Sequence, residues 1–345
     1  MSIQEDIAFM DRAFQLALKG TGNVSPNPIV GCVIVHDGKV IGEGWHKKYG
    51  EPHAEVNAVN SVEDKSLLSN STAYVTLEPC AHFGKTPPCA DLLVSHRLKK
   101  VVIANRDPFE LVDGTGIYKL EKGGVEVVVG VGQEKGLEIN KRFFTYHQKK
   151  RPYIILKWAQ TADGFIAREN YDSKWISNEY SRKLAHKWRA EEDSILVGTN
   201  TALYDNPSLS VRDWRGNHPI RLVIDKSLKL DKSLNLFDRS IPTLIYNLSK
   251  DDKGQNLEYK KLDNNKFLES IMGDLYERKI GSVFVEGGAG VLNSFIEAGL
   301  WDEARVFKSS NEFQKGILAP RVEGRLENSF DSKGDIVDII KNVQY

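Results

Sequence analysis

The triad His53-Ala54-Glu55, followed by Pro79-Cys80 and, after eight further residues, Cys89, constrains this chain more than any other stretch. One imidazole and two thiols are borderline-to-soft ligands that suit zinc, and three protein ligands leave the fourth tetrahedral position open for water. Zinc lowers the pKa of such a water to about 7, so a nucleophile is available at neutral pH. Glu55, two residues after the ligand histidine, is placed beside the metal but not on it, where it can shuttle protons. This H-x-E…P-C…C pattern is the signature of the zinc deaminases of bases and nucleotides.

The competing reading is a structural zinc clip, or a buried histidine with two inert thiols. The strand-like run over residues 73–77 joins the two halves of the motif and argues against it. In the simplest form of the signature only two residues separate the cysteines. Here the spacer is Ala-His-Phe-Gly-Lys-Thr-Pro-Pro, which reads as a substrate-specific loop offering His82 and Lys85 at the mouth of the site.

At 345 residues the chain is long enough for two domains, each with its own core. Basic and acidic residues both number 47, so no global electrostatic footprint for nucleic acid exists. Two of only three cysteines are claimed by the metal, and Cys32 sits in an apolar run as a small core residue. That usage suits a reducing cytosol. No leader pattern and no apolar run near 18 residues occurs, so a cytoplasmic protein without membrane attachment is expected.

Apolar spacing predicts a helix over residues 7–18, ended by Gly20 and Gly22. A buried strand over 29–35 turns at Asp37-Gly38 into a second over 40–45. Residues 53–62 read as a helix whose positive end lies at His53 and Glu55. A strand over 73–77, a helix over 90–96 and strands over 101–104 and 125–129 complete an α/β sandwich on a mixed sheet. The charged segment 147–152 is the expected boundary, giving domains 1–147 and 151–345. Beyond it strands are predicted over 153–158, 194–197, 220–224 and 283–285, with helices over 179–190 and 291–298. Residues 228–266 read as polar and irregular.

Strand 283–285 runs into Glu286-Gly287-Gly288-Ala289-Gly290 and then a helix, the arrangement that sets backbone N–H groups against a phosphate. It is not the Rossmann fingerprint, and a ligand-free tight turn is nearly as good a reading. Residues 198–212 follow another buried strand and are dense in hydroxyl and amide groups; capping and turn chemistry by Thr201, Asp205 and Pro207 is the bland alternative.

Nearly the whole chain resembles the bifunctional deaminase–reductases of riboflavin biosynthesis. The motifs are S-P-N-P-I-V-G-C-V-I-V, G-E-P-H-A-E-V-N-A and A-Y-V-T-L-E-P-C-A-H-F-G-K-T-P-P-C, then L-K-W-A-Q-T-A-D-G-F-I-A, S-K-W-I-S, residues 198–212, V-E-G-G-A and E-A-G-L-W-D-E. The resemblance implies a cytidine-deaminase-like three-layer αβα domain followed by a dihydrofolate-reductase-like α/β domain. The first would hydrolytically deaminate 2,5-diamino-6-ribosylamino-4(3H)-pyrimidinone 5′-phosphate with one zinc ion per chain. The second would use NADPH to reduce the ribosyl chain, giving 5-amino-6-ribitylaminouracil 5′-phosphate.

By position, the resemblance makes His53, Cys80 and Cys89 the zinc ligands and Glu55 the catalytic proton carrier. Asn27, His46, His82 and Lys85 resemble pyrimidine- and phosphate-pocket residues. Ala159, Trp175, Thr201, Asp205, Gly288, Ala289, Gly290, Val291, Leu292, Asn293 and Ser294 resemble NADPH contacts. Ser173, Arg189, Leu209, Arg212 and Glu286 resemble substrate positions, with Lys157 near the sugar; the arginines suit a phosphate dianion. Two departures stand out: Phe109-Glu110 where the family carries Asn-Pro, and Lys308 to Phe313 where it continues into a second apolar strand. The expected partner is a phosphorylated pyrimidine rather than nucleic acid or membrane, and the expected assembly a homo-oligomer, dimer or tetramer. The alternative is a single-activity zinc nucleoside or tRNA deaminase with a non-catalytic C-terminal oligomerisation domain.

Overall fold

The computed structural model describes residues 2–83, 87–110, 112–173 and 176–343, so Lys85 and Trp175 lie outside the described residues. Contacts divide the chain into Met1–Lys150 and Arg151–Tyr345.

In the first unit the order is α1 (Ile3–Ala17), β1 (Gly31–His36), β2 (Lys39–Trp45), α2 (Ala54–Ser61), β3 (Thr72–Val75), α3 (Cys89–Ser95), β4 (Lys100–Ile103), α4 (Thr115–Lys122), β5 (Glu126–Val129), α5 (Gln133–Ile139) and α6 (Lys141–Lys149). The sheet order is β2-β1-β3-β4-β5. Its first three strands pair antiparallel and β3, β4 and β5 parallel, which is the mixed sheet expected. Strand alternation sends Cys32, Ile34, Ala73 and Val75 to one face, against Ala54, Ala58 and Val59 of α2 and Ala90 and Leu93 of α3. The other face packs Val33, Val35, Tyr74 and Val102 against Met10, Ala13, Phe14 and Leu16 of α1. Three layers result.

The second unit runs β6 (Tyr153–Gln160), β7 (Phe165–Ala167), α7 (Glu179–Glu191), β8 (Ser194–Gly198), α8 (Thr199–Asp205), β9 (Ile220–Ile224), β10 (Thr243–Asn247), β11 (Asp252–Gly254), β12 (Leu257–Lys261), α9 (Phe267–Glu277), β13 (Ser282–Val285), α10 (Ala289–Glu297), β14 (Glu303–Lys308), β15 (Ile317–Leu318), β16 (Arg325–Ser332) and β17 (Asp335–Lys341). Ten described strands form one sheet in the order β11-β12-β10-β9-β8-β13-β6-β14-β17-β16. The run from β12 to β14 is parallel, so all its C-terminal ends open on one edge.

One expectation is corrected. Residues 228–266 are not irregular throughout: they contain β10, β11 and β12. β10 is buried along its whole length, but β12 alternates with charged residues, which hid the pattern. At the second departure β14 runs as far as Lys308, pairing with β6 and β17, and residues 309–313 form no strand.

At Gly31 the helix α1 comes close against the sheet. A Cβ there would lie 2.0 Å from the Ala13 carbonyl oxygen. Gly31→Val is expected to destabilise the first unit by about 1–3 kcal/mol. A urea midpoint unchanged from wild type would show that the helix moves aside freely.

Candidate active sites

Three elements deliver the metal-ligand set. His53 caps the start of α2, Cys80 follows β3, and Cys89 is the first residue of α3. Cys80 closes the loop between them, its sulfur accepting from the Cys89 N–H at 3.3 Å and its carbonyl from the Ala90 N–H at 3.1 Å. His53 Nδ1 lies 3.5 Å from the Cys80 sulfur and 3.4 Å from that of Cys89. All three ligand atoms fall within 4.8 Å of one another. A tetrahedral zinc about 2.3 Å from sulfur and about 2.0–2.1 Å from nitrogen would set N and S roughly 3.5 Å apart. The residues therefore fit the ion.

The electrostatics agree with a site that binds a cation. The Cys80 thiol is held down to about 4, first by the Cys89 hydrogen bond and also by His53, so the thiolate of the pair is Cys80, while Cys89 is pushed up by Cys80 and by burial. The same thiolate raises His53 to about 9. Glu55 is buried, and burial, with the Cys80 charge, pushes its carboxyl up to about 7.

Around this cluster His46 is buried, its ring 5.4 Å from that of His53 and nearly perpendicular to it. Its Nδ1 faces the Pro52 carbonyl at 3.2 Å and its Nε2 faces Asn27 Nδ2 at 3.3 Å, so Asn27 and His46 are held together beside the ligands. His82 is exposed, its ring 5.9 Å from Phe109, which in turn stands 5.2 Å from His147. The departure at Phe109 thus joins an aromatic row.

Sequence reasoning missed Glu78. Its buried carboxylate accepts four backbone N–H groups, from Asp107 and Gly114 on one oxygen and from Gly116 and Ile117 on the other, at 2.9–3.2 Å. It ties the loop after β4 to the segment that carries Cys80. The only signal was an acid between Leu77 and Pro79 in an otherwise apolar approach.

In the second unit a cleft of about 810 Å³ opens at the C-terminal edge of the parallel strands, within the range that small-molecule sites take. Lys157, Ala159, Ser173, Arg189, Thr201, Asp205, Arg212, Glu286, Gly288, Ala289, Gly290 and Val291 line it. Thr201 accepts the Gly288 N–H at 2.9 Å, tying α8 to the start of α10, and Ser173 donates to Asp205 at 3.1 Å. The nine-residue α10 turns its N-terminus to the cleft, where phosphate is favoured. Size, glycines and helix end fit a dinucleotide.

Leu209, Leu292, Asn293 and Ser294 are not among the lining residues. Leu209 and Leu292 turn into the core, Asn293 and Ser294 face outward, and Ser294 donates to its own helix at Gly290. Helical periodicity explains the split: only the first turn of α10 can face the cleft. Lys226 and Ser227, unremarked in the sequence, do line it.

Arg189 is placed differently from a simple phosphate ligand. Its Nε and Nη2 donate to both oxygens of Glu286 at 2.5 and 2.9 Å, and its Nη1 to the Ser210 carbonyl at 3.3 Å. Lys157 reaches the same carboxylate at 3.2 Å. Burial favours the neutral acid, but Arg189 and then Lys157 overrule it and hold Glu286 far below the usual carboxylate range. Arg212 also lines the cleft, with 61 % of its side chain exposed and its Nε 3.9 Å from the Asp213 carboxylate.

Residues 3–105 match the family described as the cytidine and deoxycytidylate deaminase zinc-binding region, and residues 152–310 match the RibD C-terminal domain. The class is therefore a zinc-site deaminase domain joined in one chain to a reductase domain. The chain is 40% identical over 325 residues to riboflavin biosynthesis protein RibD of Aquifex aeolicus, covering 92% of this chain and 88% of that protein. It is 42% identical over 306 residues to the RibD of Actinobacillus pleuropneumoniae, covering 86% and 81%. The crystal structure of a diaminohydroxyphosphoribosylaminopyrimidine deaminase/5-amino-6-(5-phosphoribosylamino)uracil reductase from Thermotoga maritima superposes with a TM-score of 0.91 at 37% identity, covering 99% of both chains. This chain belongs to the RibD family of bifunctional riboflavin biosynthesis enzymes.

The Arg189–Glu286 pair generates a prediction. Breaking a buried pair leaves an uncompensated charge and costs about 3–5 kcal/mol. A double-mutant cycle of Arg189→Ala and Glu286→Ala, read by urea melts, should give a coupling of at least about 1 kcal/mol. Additive single effects would show that the two side chains act independently.

Proposed function

We propose that the deamination belongs to the first unit, with His53, Cys80 and Cys89 holding zinc and Glu55 moving the protons, and the reduction to the cleft of the second. The enzyme removes the 2-amino group of 2,5-diamino-6-ribosylamino-4(3H)-pyrimidinone 5′-phosphate and then reduces the ribosyl chain with NADPH. The observation that carries the assignment is the His53 Nδ1 set 3.5 and 3.4 Å from two sulfurs beside a buried carboxylate.

When bound, zinc lowers the pKa of a water, and NADPH supplies the reducing equivalents. Glu55, lifted to about 7 by burial, both accepts and releases a proton near neutrality. Its Oε atoms take the proton of the attacking water and return it to the departing amino nitrogen. Asn27, His46 and His82 serve the pyrimidine and phosphate pocket, to which Lys85 is also assigned. In the cleft, Ala159, Thr201, Asp205 and the first turn of α10 seat the cofactor. Arg212 receives the substrate phosphate, while Arg189 acts mainly by fixing Glu286 and Lys157 beside the sugar.

The proposal extends to a cytoplasmic homo-oligomer, dimer or tetramer. None of the three cysteines is in a disulfide, and no helix among the described residues is long and apolar enough to cross a membrane. The edge strand β16 leaves Leu326 57 % exposed, a surface suited to pairing with a second copy. Light scattering of the purified chain gives the assembly size, and a monomer at working concentration contradicts this part.

Glu55→Gln should keep its zinc and lose deamination by about 10²–10⁴-fold, because an amide cannot titrate. Supplied with the deaminated compound and NADPH, the same variant should still reduce it, as mass measurement of products would show. Near wild-type conversion of the diamino precursor would remove Glu55 from its role. In turn, Cys80→Ser should lose most of its metal by elemental analysis, and full zinc occupancy would mean the ligand set is different.

A further inference from the structure

We propose that His186 is a positioning residue of the cleft: its Nδ1 holds the main chain of Arg212 in the place from which that arginine meets the substrate phosphate. The inference rests on the reading of Arg212 as the phosphate ligand, and it concerns a buried imidazole to which that reading gave no role. His186 lies on α7, 3 % exposed, and lines the cleft together with Arg189 and Arg212. Positions 186 and 189 are three apart, so both side chains leave the same face of the helix.

The stretch they face has no regular structure to hold it. Residues 206–219, between α8 and β9, form neither helix nor strand, so their main-chain groups have no ladder to pair with. Side chains take over that task. Arg189 Nη1 donates to the Ser210 carbonyl at 3.3 Å, the Val211 N–H donates to His218 Nδ1 at 3.0 Å, and the Arg212 N–H donates to His186 Nδ1 at 3.3 Å. Just before them Leu209 is buried with φ at 48°, a left-handed conformation that a leucine keeps only where its surroundings impose it. Three consecutive residues are therefore pinned, two of them from one face of α7, and the last of the three is the arginine.

The partners of the ring define its tautomer. Nδ1 accepts a hydrogen bond and so carries no proton, while Nε2 faces Asp213 Oδ2 at 3.3 Å, where its N–H belongs. Asp213 in turn stands 3.9 Å from Arg212 Nε. One imidazole thus reaches Arg212 twice, directly at the main chain and through Asp213 at the guanidinium. A charged ring could not do the first, because both its nitrogens would be donors. The surroundings keep it neutral: burial, then Arg189 and Arg212, push His186 down to about 4 against the opposite pull of Asp213 and Glu286.

Steady-state reduction by the full-length protein, with the deaminated substrate and with its dephosphorylated counterpart, separates positioning from packing. Wild type should have the lower KM for the phosphorylated form, and Arg212→Ala should lose most of that advantage. His186→Asn sets an amide oxygen near the place of Nδ1 and should keep most of it. His186→Gln is closer to histidine in size but sets its amide near the place of Nε2. It should cut the advantage about tenfold, as His186→Ala should, the scale of one charge-assisted hydrogen bond misplaced. The KM values for NADPH and for the dephosphorylated form should change less than about twofold in both. Should His186→Ala fail to fold, the comparison of Asn with Gln decides alone. The proposal is overturned if Gln keeps the advantage better than Asn, if all three variants keep it, or if Ala weakens both substrates alike. A wild type indifferent to the phosphate, or an Arg212→Ala variant that keeps the full advantage, overturns the reading of Arg212 and this proposal with it.

Discussion

The contacts of one sulfur organise the first unit. Cys80 faces His53 at the start of one helix and accepts the N–H of Cys89 at the start of another. Two helix ends and a strand end are therefore drawn to a single point. Each of those elements is independently anchored: α2 by Ala54, Ala58 and Val59, α3 by Ala90 and Leu93, and β3 by pairing on both sides. Rigid elements meeting at one atom hold ligand geometry more closely than loops could. The same convergence holds the Cys80 thiol down and pushes the buried Glu55 carboxyl up to about 7.

The second unit solves a similar problem with an ion cluster. Glu286 follows β13 directly and accepts from Arg189 on α7 and Lys157 on β6. Three elements are cross-linked through a carboxylate with 10 % of its side chain exposed. Such a cluster adds little net stability over an apolar core of equal volume, but it leaves its members no alternative arrangement. The end of β13 is thereby tied to α7 and β6 where they line the cleft.

Much of this was legible beforehand. The grouping of His53, Cys80 and Cys89 could be read because metal chemistry admits few residue types at few spacings. The strands over 153–158, 194–197, 220–224 and 283–285 were legible because buried parallel strands are continuous apolar runs. β12, β16 and β17 were not, since charged and exposed residues interrupt them. Arg189 was recognised as part of the site, but its engagement with Glu286 depends on residues nearly a hundred positions apart. Leu292 shows the limit of a motif: a stretch carried over whole is divided by helix periodicity between cleft and core.

The Glu78 knot has a consequence for how the deaminase mouth can change. Its four bonds go to backbone N–H groups, not to side chains. The path of the loop after β4 is therefore specified without reference to most of the residues on it. Gly116 is an exception, since a Cβ there would lie 2.1 Å from the Pro79 carbonyl oxygen. Positions such as Phe109 and Glu110 can then exchange polar for aromatic or charged side chains while the ligand-bearing segment stays where it is. A frame written in main-chain atoms leaves the surface that meets the substrate open to revision.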